Sequence, residues 1–383
     1  MKEADAQDDH EQAAQTGSTQ GADGSVKIGV LTFHRCINYG SYWQARCLAD
    51  GLQSLGHDTM ILDHESRRVD VAEWKCALRP IPTAANGADR LLYRSKMRRF
   101  FDAFETLPLS RRFPIGEPAR MPDCDAVIVG SDEVWNLSHP WYGGCPLFYG
   151  EGVRTEHLLS YAASFGNHDA RHGLDPVWSQ RLRNFERIAV RDAASSTIIE
   201  NATGAGPELV LDPCLQFPVN PEAPACHPPD ERYVAVYGHG FSAPFASQVR
   251  RSARRKNAVL VSIGYRNEWA DRQWIDAGPH EFAHFIAGAE AVATNFFHGC
   301  VFALRNRKPF VCEGSWYRSN KVHGLMAEVG GGRHLMTEAS GAHDYATTLD
   351  EPPALAIQHR IAELQRRSRR YLDRALAIGS RAA

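Results

Sequence analysis

The sequence predicts an α/β protein of two domains, each built on an open parallel sheet. At 383 residues the chain is too long for one comfortable core and suits two domains of ordinary size. Short apolar runs typical of strands alternate with amphipathic helical stretches in both halves. Several of these runs end in a polar loop, which is typical of a parallel sheet with its ligand-binding edge on one side.

The first domain is predicted over residues 26–215. It follows a disordered tail at residues 1–25, which lacks the apolar periodicity needed to bury a core. A strand at 27–33, an amphipathic helix that ends at Gly56 and a strand at 59–63 together form a βαβ opening.

Three more strands of this domain lead into polar loops that we expect to bind a ligand. They are predicted at 125–130, 158–163 and 187–190. The loops after them supply, in the same order, Ser131 with Asp132, then Ser164, then Arg191.

A proline-rich linker is predicted at residues 216–230, where five prolines interrupt the pattern. The second domain then covers residues 231–383. It repeats the alternation, with strands at 233–237, 259–263 and 291–293. A closing helix ends near Ile378, and its apolar stripe is suited to packing against the first domain.

His298 is the strongest candidate for chemistry, because it lies between an apolar strand and a helix predicted at 299–304. The free N–H groups at such a helix start carry a partial positive charge and attract anions. The same field disfavours a charged imidazole, so a neutral histidine would be ready to move a proton. Taken alone, the segment fits a structural capping histidine equally well.

The composition argues against several classes of protein. The formal net charge of -2 gives no general attraction to nucleic acid. No uncharged apolar run approaches the roughly 18 residues of a membrane span, and the N-terminus lacks signal-peptide regions. Nine cysteines without a Cys-x-x-Cys pair indicate neither a zinc site nor a disulfide framework. We therefore expect a cytoplasmic protein with reduced thiols and no integral membrane segment, nucleic-acid partner, metal or cofactor.

Two other patterns are typical of binding sites, but neither is assigned a function. Gly238-His239-Gly240 opens a loose dinucleotide-binding pattern, but the next strand ends without an acid to hold a ribose. A nicotinamide-dependent oxidoreductase is therefore disfavoured. The basic run at 94–99 is predicted to be a solvated helix face, with no role in chemistry.

Six fragments along the chain carry a more specific signal. They lie at 33–45, 130–136, 161–166, 189–192, 211–213 and 294–299. In this order and spacing they resemble the polysaccharide pyruvyl transferase family over nearly all of the chain after the tail. One such fragment would be common by chance, whereas six in register make the resemblance strong.

The resemblance implies a glycosyltransferase-B-like arrangement of two Rossmann-like domains, with donor and acceptor meeting in the cleft between them. It implies a transferase that moves a pyruvyl group from phosphoenolpyruvate to hydroxyls of a saccharide or related polyol, forming a pyruvate ketal. His298 matches the family's active-site histidine, and Arg191 matches an arginine expected to contact the donor anion. The candidate substrate-binding residues are Asn295, His34, Asn38, Gly40, Ser131, Asp132, Ser164 and Lys321, with Arg318 as a further cation near Lys321.

Phe296 departs from the family's pattern, which has a small hydroxyl residue or an arginine ahead of Phe-His-Gly. A phenylalanine neither donates to phosphate nor pairs with a carboxylate. It either packs under the loop or reshapes the donor or acceptor pocket. Two alternatives therefore stay open: a glycosyltransferase of the same fold with a nucleotide-sugar donor, and a carbohydrate-binding protein that has lost the donor site.

Overall fold

The computed structural model describes residues 25–79, 87, 89–224, 228, 230–314 and 319–378. The tail predicted at residues 1–25 therefore lies outside the described residues, apart from Ser25, and so does Arg318. Within the described part, the four-stranded parallel sheet lies before residues 216–230 and the six-stranded parallel sheet lies after them. We keep this segment as the proposed domain boundary, and we call the two sheets with their helices the first lobe and the second lobe.

The first lobe contains eight strands among the described residues. They are β1 (Lys27–Leu31), β2 (Asp58–Ile61), β3 (His64–Glu65), β4 (Phe113–Pro114), β5 (Ala126–Val129), β6 (His157–Ser160), β7 (Ala189–Val190) and β8 (Glu208–Leu209). Its helices are α1 (Tyr39–Ser54), α2 (Arg67–Ala77), α3 (Asp89–Phe104), α4 (Pro176–Leu182), α5 (Ala193–Thr203) and α6 (Pro213–Gln216), with 3-10 turns at Pro118–Arg120, Pro146–Tyr149 and Ala170–His172. Four strands form a parallel sheet in the order β2-β1-β5-β6. The short pairs β3 with β4 and β7 with β8 are also parallel.

The second lobe contains a six-stranded parallel sheet in its described part. Its strands are β9 (Tyr233–Tyr237), β10 (Val259–Ile263), β11 (Arg272–Trp274), β12 (Ala291–Thr294), β13 (Phe310–Glu313) and β14 (Leu335–Met336). Its helices are α7 (Ala243–Arg255), α8 (Pro279–Gly288), α9 (Phe297–Arg305), α10 (Ser319–Val329), α11 (Ala342–Asp350) and α12 (Leu355–Ala375), with a 3-10 turn at Gly332–His334. The strand order is β11-β10-β9-β12-β13-β14.

Both lobes confirm the predicted α/β class with two Rossmann-like sheets. The βαβ opening is β1, α1 and β2, paired in parallel. The strand predicted at 158–163 ends earlier, at Ser160, because Ala162 has a φ of 53°, which lies outside the β region. Among the described helices, none combines the length and the apolar character that a bilayer crossing requires.

The closing helix α12 packs on the first lobe. Most of its predicted stripe is buried, including Ile357, Leu364 and Tyr371, while Ile361 is partly buried. The Tyr371 hydroxyl donates to the carbonyl of Ser160 at 2.6 Å, at the end of β6. The last described helix, which follows the second sheet in the sequence, therefore packs against the first lobe.

An apolar core joins the two lobes between α1 and α8. Tyr39 on α1 stacks on Phe282 on α8, with ring centroids 4.5 Å apart. Its hydroxyl donates to the carbonyl of Ala277 at 2.6 Å. Nearby, the indole N–H of Trp43 donates to the carbonyl of Pro279 at 2.9 Å. These contacts fix the position of the first lobe against the second.

Candidate active site

A cavity of about 350 Å³ lies between the lobes. Its lining residues follow the carboxyl ends of strands from both sheets, with Phe33 after β1, Asp132 after β5, His239 after β9 and His298 after β12. Ligands of open α/β sheets bind at this edge. The expected glycosyltransferase-B-like arrangement, in which two Rossmann-like domains face a shared cleft, is therefore confirmed.

His298 is the second residue of α9 and lies in the wall of the cavity. The helix begins at Phe297, two residues earlier than predicted, so the histidine belongs to its first turn. The hydroxyl of Thr294 accepts from the Phe296 N–H at 3.1 Å and donates to the Tyr237 carbonyl at 2.7 Å. These bonds tie the turn between β12 and α9 to the neighbouring strand β9 and so position the imidazole.

The two ring nitrogens of His298 face different neighbours. Nε2 lies 3.7 Å from Oδ2 of Asp212 and is buried without a hydrogen-bond partner. Nδ1 faces Gly40, where an added Cβ would overlap the ring. Burial lowers the pKa of His298; the Asp212 carboxylate opposes this, while the charge of Arg191 lowers the pKa further. The predicted neutral imidazole is supported, with burial as its main cause.

Arg191 lies between two carboxylates. Its terminal nitrogens donate to Oδ2 of Asp212 at 3.0 Å and to Oδ1 of Asp132 at 3.1 Å. The side chain is 3% exposed, and its guanidinium carbon lies 4.8 Å from the ring centroid of Phe297. The residue lines the cavity, but a donor anion would compete with both carboxylates for it. In this structure Arg191 therefore orders the loops that carry Asp132 and Asp212.

Asp132 is held in a left-handed backbone conformation, with a φ of 73°. This conformation is costly for a residue other than glycine and is characteristic of functional sites. Oδ2 accepts from the Ser41 hydroxyl at 2.8 Å. Burial raises the pKa of Asp132, but the charge of Arg191 and smaller effects of its other neighbours together outweigh burial, so the pKa lies below its usual value. Asp132 is therefore an ionised group of the cavity wall.

Lys321 on α10 forms an ion pair with Glu133, which follows β5 in the first lobe. Both side chains line the cavity. Burial lowers the pKa of Lys321 to about 8, although the charge of Asp132 acts in the opposite direction. This ion pair connects the two lobes across the cleft.

Asn38 and Gly40 lie at the start of α1, as the sequence indicated. Asn38 lines the cavity and caps the helix, since its Oδ1 accepts from the N–H groups of Gly40 at 2.8 Å and Ser41 at 3.2 Å. Gly40 allows the close approach of α1 to His298. The structure thus brings two predicted loop residues to the catalytic candidate.

The other predicted binding residues are buried behind the cavity wall and do not contribute to its described lining. His34 Nε2 contacts Oδ1 of Asp63 at 2.9 Å, and the Ser131 carbonyl accepts from the Thr32 hydroxyl at 2.9 Å. The Ser164 hydroxyl accepts from the Gly166 N–H at 3.0 Å, and the Asn295 amide donates to the His239 carbonyl at 2.8 Å. In this structure His34, Ser131, Ser164 and Asn295 support the loops around the cavity.

Sequence reasoning missed three residues of the site. The prediction of a solvated face at 94–99 is wrong for Lys96, which is 5% exposed and lines the cavity. Glu73 also lines it, and burial raises the pKa of Glu73 to about 7. Asp212 lay in a fragment of the family resemblance but received no role. The sequence pattern that could have indicated Asp212 is an acid directly before a proline, which is typical of a helix start. In the structure Asp212 caps α6 and accepts from the N–H of Cys214 at 3.0 Å.

Phe296 packs among aromatic rings and lines the cavity as well. Its ring centroid lies 4.9 Å from that of Tyr237 and 5.4 Å from those of His239 and Tyr265. The packing interpretation is confirmed, and the same ring shapes the pocket. His239, from the disfavoured dinucleotide pattern, contributes to this aromatic wall.

Asp212, Cys214 and His298 bring atoms of the metal-ligand type within 4.8 Å of one another. The Asp212 carboxylate, however, already pairs with Arg191, whose charge repels a cation. Burial raises the pKa of Cys214 well above its usual value, which keeps the thiol protonated. The cluster is therefore poorly suited to a metal ion.

The cleft between the Rossmann-like sheets holds a histidine, two carboxylates and an arginine, the arrangement expected for a two-lobed transferase. Residues 38–316 match the sequence profile of the family described as polysaccharide pyruvyl transferase. This match covers well over half of the chain, and the chain belongs to that family.

Several solved structures are similar at low identity. The glycosyltransferase SnogD from Streptomyces nogalater is 14% identical with a TM-score of 0.45, over 90% of this chain and 95% of that chain. The glycotransferase of kitacinnamycin is 13% identical with a TM-score of 0.44, over 92% and 99% of the two chains. No curated protein sequence matches the chain. Similarities this low say nothing about its donor or acceptor.

Proposed function

We propose that this protein transfers a pyruvyl group from phosphoenolpyruvate to hydroxyl groups of a saccharide or related polyol, forming a pyruvate ketal. The observation that carries the proposal is the placement of His298. It is a buried imidazole in the cavity wall with a lowered pKa, and Asp212 lies 3.7 Å from its Nε2. Nδ1 faces Gly40, which has no side chain to cover it, and we infer that this nitrogen exchanges a proton with the ligand. Membership of the family supports the choice of donor.

The first step needs a group that relays a proton. An acceptor hydroxyl attacks C2 of phosphoenolpyruvate while the methylene carbon gains a proton and becomes a methyl group. Neutral His298 accepts the hydroxyl proton, and its imidazolium supplies the proton to carbon. The carboxylates of Asp212 and Asp132 favour the imidazolium, since both raise the pKa of the ring. This arrangement suits a base that becomes an acid within one step.

The second step releases phosphate. The bond between C2 and the phosphate oxygen breaks, and its electron pair leaves with the phosphate. A second hydroxyl of the acceptor then bonds to C2 and closes the ketal. The proton that this hydroxyl loses is taken up by the departing phosphate, which is released as hydrogen phosphate. Arg191 and Lys321 supply positive charge beside His298, which stabilises the departing group.

We also propose that the reaction takes place in the cytoplasm. All eight cysteines that the structure describes are free thiols, and five of them are buried. Unpaired cysteines in this number are typical of a reducing compartment.

The test is a phosphate-release assay with phosphoenolpyruvate and a panel of sugars and nucleotide sugars. Wild-type protein should release phosphate only when an acceptor is present. His298→Ala should lower the rate by ~10²–10⁴-fold, the usual contribution of a proton-transfer residue. His343→Ala is the matched control, because His343 is an exposed histidine on α11, and it should keep the wild-type rate.

Three results would contradict the proposal. Full turnover by His298→Ala would exclude its role. Protection from heat by a nucleotide sugar, without phosphate release, would favour a glycosyltransferase. Saccharide binding without any turnover would indicate a carbohydrate-binding protein.

A further inference from the structure

Lys96 brings a buried ammonium group from the first lobe into the cavity. It lies on α3, and its Nζ donates to the carbonyl of Gly264 in the second lobe at 3.0 Å. The same Nζ lies 4.8 Å from the ring centroid of Tyr39 and 4.5 Å from that of Tyr265. The ammonium therefore sits at the meeting point of the two lobes, within the cavity lining.

The cations beside His298 are already paired with carboxylates. Arg191 pairs with Asp132 and Asp212. Lys321 pairs with Glu133. Among the described residues, two cations thus meet three carboxylates, so Arg191 and Lys321 contact the departing phosphate in competition with their carboxylates, and a further cation would help to hold the anionic ligand.

Lys96 differs from those cations in its partners. Among the residues that the structure describes, it contacts a carbonyl and two aromatic rings but no carboxylate. Arg79 also lines the cavity, but it is exposed to solvent, where water and salt screen its charge. Lys96 is therefore the buried cation of the described lining that a ligand anion can pair with.

A buried ammonium without a carboxylate is costly for the fold. Burial lowers the pKa of Lys96 to about 7, which reflects that cost. An apolar side chain would fill the position between Tyr39 and Tyr265 without it. Residues that reduce stability in this way are typical of functional sites.

We propose that Lys96 binds a carboxylate or phosphate group of the ligand in this cavity. The inference rests on the proposed function for the identity of that ligand, phosphoenolpyruvate, which carries both groups. The rings of Tyr265 and Phe296, 5.4 Å apart, give this part of the cavity an apolar wall. A charge-assisted hydrogen bond is stronger beside such a wall than in water.

The experiment is calorimetric titration of phosphoenolpyruvate and of inorganic phosphate into wild-type protein, Lys96→Met and Lys96→Gln. Loss of a hydrogen bond to a charged group predicts binding that is about ten- to hundredfold weaker. Lys256→Met is the matched control. The Lys256 ammonium pairs with Asp350 and lies outside the cavity lining, so this variant should bind as wild type does.

The folding of each variant is checked by urea unfolding. Lys96→Met removes a buried charge and should be at least as stable as wild type; if it fails to fold, Lys96→Gln decides the question, because its amide can still donate to the Gly264 carbonyl. Wild-type affinity in the folded Lys96 variants would overturn the inference, and so would a wild-type protein that binds neither anion. Phosphate binding that depends on Lys96, without binding or turnover of phosphoenolpyruvate, would support the inference and overturn pyruvyl transfer.

Discussion

Arg191 joins two carboxylates through one planar group, with Asp132 on one terminal nitrogen and Asp212 on the other. A lysine at this position has no fork and reaches only one of them well. Arg191→Lys should therefore leave a buried carboxylate unpaired and lower the free energy of unfolding by about 3–5 kcal/mol. Urea unfolding followed by circular dichroism measures this change.

The matched control is Arg369→Lys. Arg369 donates to Asp373 at 2.6 Å, but both side chains are about half exposed. Replacement there should change the free energy of unfolding by less than about 1 kcal/mol. Equal losses in the two variants would show that burial of the Arg191 cluster adds nothing to stability.

Single site residues could be predicted where the elements that surround them are neighbours in the sequence. His298 could be found because the strand, the loop and the helix around it are consecutive in the sequence. Lys96 could not, since its burial depends on Gly264, which lies 168 residues further along the chain. A basic run on a helix predicts a solvated face unless another part of the chain covers it.

At the scale of elements, the starts of α1 and α9 meet at Gly40. Because a Cβ at this position would overlap the His298 ring, Gly40→Ala should displace the imidazole. We expect the phosphate-release rate to fall by about 10²-fold, the loss that a displacement of about 1 Å can cause. The assay described for His298 measures it.

Gly324→Ala is the control for this substitution. Gly324 lies on α10, and an added Cβ there meets no atom within 4 Å. The variant should keep its activity and gain up to about 1 kcal/mol in the free energy of unfolding, because alanine favours helix. An unchanged rate in Gly40→Ala would show that the position of His298 does not limit catalysis.

Elements were predicted better than their ends. The strands at 125–130 and 291–293 correspond to β5 and β12, which are buried throughout and apolar except for Thr294 at the end of β12. The strand at 187–190 is shortened to β7, and α9 begins before Gly299. Apolar periodicity predicts a buried element, whereas its ends depend on caps and on backbone angles such as the φ of 53° at Ala162.

For the whole molecule, the apolar core between the lobes predicts cooperative unfolding. Tyr39, Trp43 and Phe282 belong to one cluster that extends through both lobes. We expect a single thermal transition, because neither lobe can open without exposing this surface. Circular dichroism and tryptophan fluorescence should then report the same midpoint. Two separate transitions would show that the lobes fold independently.

The two-lobed architecture was predictable because chain length, alternation and the proline-rich segment all indicate it. How the lobes face one another was not, since it depends on contacts such as the one between Tyr39 and the Ala277 carbonyl, 238 residues apart. The arrangement of the two lobes around a shared cleft was predicted from the resemblance of six fragments to a known family, and local sequence patterns do not indicate it.

The return of α12 to the first lobe limits how these proteins can be recombined. A chimera that exchanges the halves at residues 216–230 would carry the last helix of another protein. A side chain of that helix would have to replace Tyr371 as the donor to the carbonyl of Ser160. A working chimera should therefore take Leu355–Ala375 from the same protein as the N-terminal half. The segment to be exchanged as one structural unit is thus made of two separate parts of the sequence.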